Sequence, residues 1–119
     1  MHVMTIKTFE DVVAWQKGRE LYVSLYKEFR GSKDFAYRDQ LLRATLSITN
    51  NIAEGFDRGT DKELRYFLVI ARGSAAEVRS MLWLAQGIGL LGDKELSEYL
   101  QDVEDISKLL TGFIKALDR

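Results

Sequence analysis

The sequence predicts an all-α fold, an antiparallel up-down-up-down four-helix bundle. Three observations predict it. No proline occurs in 119 residues, so nothing removes a backbone donor or forces a kink within a long helix. Apolar residues recur at spacings of three and four along most of the chain, the period of one helix face. Glycines at positions 31, 55, 59, 87, 89 and 92 divide the sequence into four long runs. The connections between those runs are short, which makes consecutive helices antiparallel neighbours.

Thr8 and Asp11 form a T-x-x-D capping pattern that opens the first helix, expected over about 9–29. Val12, Trp15, Tyr22, Leu25, Tyr26 and Phe29 are its expected inward row, so Trp15, Tyr22 and Tyr26 are read as core aromatics instead of stacking platforms for bases. Gly31 and Ser32 break the run. The second helix begins near Asp34 and is expected over about 34–55, with Leu41, Ala44, Ile48 and Ile52 as its core stripe. Gly55, following the apolar run that ends at Ile52 and Ala53, suits the left-handed position just past a helix end.

Thr60 and Glu63 form a second capping box, T-x-x-E, which opens a third helix expected over about 61–87. Leu64, Phe67, Leu68, Ala71, Ala75, Val78 and Leu82 share one face of it. Asp93 is positioned to cap a fourth helix, about 94–118. Its apolar side carries Leu96, Tyr99, Leu100, Val103, Ile106, Leu110, Phe113, Ile114 and Leu117 opposite acids and lysines. The whole of 1–119 reads as one domain, large enough to bury a core without a metal or disulfide staple. With 46% apolar residues the chain is not expected to be disordered.

Composition narrows the chemistry. With no cysteine, there is no disulfide, thiolate nucleophile or Cys-ligated zinc, and the one histidine is His2, near the chain start. Metal chemistry would rest on carboxylates, and carboxylate-bridged metal bundles use Glu-x-x-His pairs that this sequence lacks. Glu54 and Glu77 are the only carboxylates suggestive of an acid–base or metal pair. The segment Gly55–Thr60 has no P-loop lysine and follows no strand. The expectation is therefore no catalytic site, no metal and no cofactor. No apolar run approaches the roughly 20 residues needed to span a bilayer, and the start lacks a secretory pattern. A cytoplasmic protein with no membrane partner is expected.

The net charge of −1 gives the whole molecule no strong field toward nucleic acid. Charge is nevertheless uneven: residues 30–89 hold nine Lys/Arg against seven Asp/Glu, and 90–119 hold four against seven. A row comprising Arg58, Lys62, Arg65 and Arg79, with Arg72 beside it, flanks the core face of the third helix and is the candidate nucleic-acid contact. Ion pairing with nearby acids is the plainer explanation of such a row.

Arg43, Asn51 and Glu54 on the second helix, with Ser47 and Asn50, and Arg72, Ser74 and Glu77 on the third, are polar groups placed beside a core. They must be hydrogen-bonded there, and a network joining the two helices satisfies that demand. Both helices also carry more apolar surface than one core requires. Leu42, Leu46 and Ala53, with Thr49, form a second strip on helix two. Tyr66, Val69, Gly73, Ala76, Ser80 and Leu84, with Gly87, form one on helix three, and together these strips are the candidate interface of a homo-oligomer.

The order of motifs resembles a known family. Trp15-Gln16 is followed by Gln40-Leu41-Leu42-Arg43-Ala44, by Ser47-Ile48 leading into Asn51-Ile52-Ala53-Glu54-Gly55, by Arg58, and by Phe67-Leu68 and Ile70-Ala71-Arg72-Gly73-Ser74 with Glu77. This is similar to the four-helix bundle proteins of the 23S ribosomal RNA intervening-sequence family, from about Phe9 to Leu117. The resemblance implies a small bacterial bundle that assembles as a homopentamer. It also implies kinship with accessory proteins of diversity-generating retroelements, basic pentamers that bind a reverse transcriptase and nucleic acid. This chain departs from those relatives in charge, with a pI near 5.8, and carries Arg30-Gly31-Ser32 where the family often has a proline. Two expectations follow: a non-enzymatic oligomer that contacts RNA, a ribonucleoprotein or a reverse-transcriptase-like partner through the basic row, or a protein-interaction scaffold that binds no nucleic acid.

Overall fold

The computed structural model describes residues 6–118; His2 lies outside them. A short 3₁₀ turn, Phe9–Asp11, precedes four α-helices: α1 (Val13–Phe29), α2 (Phe35–Arg58), α3 (Asp61–Gly87) and α4 (Asp93–Leu117). Each helix packs against its two neighbours around the bundle, α1 on α2, α2 on α3, α3 on α4 and α4 back on α1. The molecule is a rod of 45 × 21 × 19 Å. Among the described residues there is no strand, and no helix is long and apolar enough to cross a membrane.

The core follows the helical rows. Leu41, Ala44, Ile48 and Ile52 of α2 are buried, with Leu64, Leu68, Ala71, Ala75, Val78 and Leu82 of α3 and Leu96, Val103, Ile106, Leu110 and Ile114 of α4. The expected row of α1 is only half realised. Val12, Leu25 and Phe29 are buried, but the rest of the buried face is Ala14, Gly18 and Leu21. Trp15 packs on the core edge and against Phe9, with ring centroids 5.1 Å apart, whereas Tyr22 is half-buried and Tyr26 is 49% exposed. The reason is the closeness of α2: a Cβ at Gly18 would stand 2.9 Å from Thr49 Cγ2, so small residues occupy this seam and the aromatics turn outward.

Caps explain most boundaries and correct three expectations. Asp34 caps α2 through Tyr37 N–H, and the Thr60 hydroxyl caps α3 by accepting from Glu63 N–H at 3.2 Å. The Thr8–Asp11 box, however, opens the 3₁₀ turn. Val12 then takes extended angles (φ −78°, ψ 120°) and α1 begins at Val13. Gly55 does not end α2. It is buried within the helix, and the left-handed residue is Gly59, with φ 87°. The N-cap of α4 is Gly92, whose backbone is extended (φ −75°, ψ 163°), while Asp93 is already the first helical residue and its carboxylate accepts from Gln86 Nε2 at 3.0 Å. At the end of α3, Leu90 N–H donates to the Ala85 carbonyl and Gly89 N–H to that of Gln86, a Schellman closure.

Candidate interaction surface on the second and third helices

α2 and α3 share the most extensive seam of the bundle, and their polar groups meet at its edge. The Ser47 and Ser74 hydroxyls lie 2.8 Å apart across it. Asn51 Nδ2 donates to Ser47 Oγ at 3.0 Å and to the Ser47 carbonyl at 2.8 Å, while Ser74 Oγ also reaches the Ile70 carbonyl at 3.2 Å. Further along, Gln40 Nε2 donates to Glu77 Oε1 at 3.3 Å. No buried side-chain donor or acceptor among the described residues lacks a partner.

Three of the expected network residues bond elsewhere. Arg72 reaches across the opposite seam to Thr111 Oγ1 of α4, 3.3 Å away. Glu54 pairs with Arg58 of its own helix at 2.6 Å, and Arg43 touches only Gln40, one turn back, at 3.5 Å. For Glu54 and Arg43 the cause is local reach: an (i, i+3) or (i, i+4) partner needs no bridging between helices. Gln40 and Thr111 are the partners that sequence reasoning missed, since neither is distinctive until the helices are paired. Glu54 and Glu77 are not a carboxylate pair. Glu77 stands opposite Gln40, about 21 Å along α2 from Glu54 at the helical rise. Among the described residues, no three His, Cys, Asp or Glu side chains gather as metal ligands.

The basic row is partly neutralised. Arg65 Nε lies 2.5 Å from Asp118 Oδ1, and Arg58, besides its pair with Glu54, stacks its guanidinium 5.1 Å from the Phe67 ring centroid. Lys62 and Arg79 are exposed and make no ion pair among the described residues. Lys62 and Arg58 share an open hollow with Thr60, Glu63, Tyr66 and Phe67.

Of the apolar strip on α3, Tyr66 is 62% and Leu84 59% exposed, and Gly73, Ala76 and Ser80 are exposed between them. Val69 is partly buried against the core, as is Leu42 on α2. Leu46 is exposed, and Ala53 lines a separate hollow under the segment Lys7–Glu10. Ile70, Trp83 and Ile88, absent from the expected strip, are also exposed and lie beside it within roughly 80° of Gly73 at 100° per residue. From Tyr66 to Ile88 this face spans about 33 Å, and its middle carries only one charge, Glu77, already bonded to Gln40. A Cβ at Gly73 would meet nothing within 4 Å, so the centre of the face is open.

The family model of the 23S rRNA-intervening sequence protein matches residues 10–112. Among solved structures, a protein of unknown function from the S23 ribosomal protein family of Bacteroides thetaiotaomicron is 27% identical. The match covers 86% of this chain and 98% of that one, with a TM-score of 0.80. No curated protein matches.

Proposed function

The chain belongs to the 23S rRNA-intervening sequence protein family, and from that premise we propose a non-enzymatic interaction bundle that works as a homo-oligomer. Its copies meet through the outer face of α3. The observation that carries this reading is the exposed apolar strip: Tyr66, Leu84 and Ile88 are each about 60% exposed, with Gly73, Ala76 and Ser80 small enough to admit a neighbouring helix closely. A large apolar face is costly to leave in water, and a second copy supplies a matching apolar surface at no new design requirement. Five copies is the number that the family resemblance supports.

Charge supports a protein partner over RNA along α3. Arg58 and Arg65 already face carboxylates at 2.6 and 2.5 Å, so contacting phosphates there means breaking existing pairs. A second reading, an RNA or ribonucleoprotein contact along this row, draws on Lys62 and Arg79, which have no such partners among the described residues.

Light scattering on the wild type and on Ala76→Arg and Leu84→Glu tests the main reading. Both positions are exposed in the single chain, so the variants should keep the wild-type helical spectrum while their mass drops toward 13.7 kDa. Variants that retain the wild-type oligomeric mass would refute the α3 interface.

A further inference from the structure

The outward stripe of α1 is the least explained surface of the molecule. Arg19, Tyr22, Val23, Tyr26, Lys27 and Arg30 lie within roughly 140° of one another at 100° per residue, centred away from buried Leu21 and Leu25, with half-buried Tyr22 at the edge next to buried Phe29. Tyr22 and Tyr26 stand as a pair with ring centroids 6.4 Å apart and planes 31° from parallel. They border a shallow hollow of about 330 Å³ with Val23, Lys27 and Arg30, and no acid lines it.

Most charges of α1 are sorted by face. Its two acids turn toward α4 together with Lys17: Glu28 accepts the Tyr99 hydroxyl at 3.0 Å, and Glu20 and Lys17 line a hollow with Asp102 and Asp105. The other cations, Arg19 and Lys27 with Arg30 at the C-cap, are exposed and make no ion pair among the described residues. They therefore differ from Arg58 of α2 and Arg65 of α3, whose charge is already met. The stripe offers aromatic faces and uncompensated positive charge together, over about 16 Å of helix.

We propose that the Tyr22–Tyr26 pair and the flanking Arg19, Lys27 and Arg30 of α1 form a binding stripe for single-stranded nucleic acid. Bases stack on the tyrosine faces and the backbone phosphates meet the three cations, a division of labour that requires no sequence readout. A duplex fits poorly, because its bases are already stacked and present no free face to the tyrosines. This proposal does not rest on self-assembly through α3. The stripe is complete on one chain, and an oligomer would repeat it and raise avidity.

Fluorescence anisotropy with a short unstructured oligonucleotide tests it, using RNA and DNA of one sequence and an RNA duplex. The wild type should bind both single strands at about 50 mM salt, weaken as salt rises, and bind the duplex distinctly less well. Tyr26→Ala should weaken binding roughly tenfold and Tyr26→Phe should restore it, since stacking needs the ring and not the hydroxyl. Arg30→Glu should weaken binding further, while Lys115→Glu, at an exposed position of α4, should change it less than about twofold. Circular dichroism should find all these surface variants folded. Absence of single-strand binding at low salt, equal affinity for the duplex, or unchanged binding by Tyr26→Ala would overturn the proposal.

Discussion

Gly55 of α2 lies so close to Phe67 of α3 that a Cβ built on the glycine would stand 3.0 Å from the Phe67 Cβ, and equally near Leu64 Cδ1. The glycine is thus the contact that lets the α2–α3 hairpin close near its turn. Gly55→Val should destabilise the protein by about 1–3 kcal/mol, the usual cost of overpacking a tight seam. Denaturant titration measures it; unchanged stability would mean that the two helices separate there at little cost.

The Ser47–Ser74 bond is the centre of the polar edge between the same helices. A double-mutant cycle with Ser47→Ala and Ser74→Ala should give a favourable coupling of about 0.5–1.5 kcal/mol. Part of the single Ser47→Ala loss belongs to Asn51, whose amide then keeps only the Ser47 carbonyl. Zero coupling would make the two hydroxyls mere neighbours.

Tyr37 ties the start of α2 to the end of α3 by donating its hydroxyl to the Met81 carbonyl at 2.5 Å. Burial, helped by the charge of Asp34, pushes its pKa up from 10.0 to about 12. The unfolded chain loses this proton near pH 10 while the folded chain keeps it, so the folded state binds more protons in between. Stability should hold below pH 10 and fall as pH rises from there toward 12. Tyr37→Phe should lower stability at neutral pH by about 1 kcal/mol and flatten that alkaline decline. Tyr99, raised by burial, by its hydrogen bond to Glu28 and by nearby acids, should leave a residual decline of the same sign.

Asp102, on α4 facing α1, has a consequence of the same sign at the acid end. Its pKa is raised by burial and then by Asp105, with Glu98 and Glu20 adding to the effect and Lys17 opposing it. The folded state therefore disfavours the charged carboxylate, a penalty present above the folded pKa and relieved as pH falls through it toward the ordinary carboxylate value. Asp102→Asn should raise the melting temperature at pH 7 and lose that advantage in acid. An Asn variant less stable than wild type at pH 7 would contradict this.

Much of the fold was legible because its signals are local. The rows Leu41–Ile52 and Leu96–Ile114 and the Asp34 and Thr60 caps each depend on residues within a few positions of one another. Gly55 was misread because a glycine after an apolar run looks the same whether it ends a helix or admits a neighbour, and the deciding atom belongs to Phe67. Tyr22 and Tyr26 were read inward on hydrophobicity, yet Gly18 against Thr49 sets which face of α1 the bundle can bury. Among the candidate site residues, the exposed α3 strip was visible as missing charge where a surface helix should carry it. The partners of Arg65 and Arg72 were not, since Asp118 and Thr111 lie 53 and 39 positions away.

If sister copies cover the outer face of α3, sedimentation equilibrium of the wild-type chain should give a mass several times 13.7 kDa that persists on dilution and collapses with Leu84→Glu. A well-behaved single species at 13.7 kDa over the whole concentration range would contradict it.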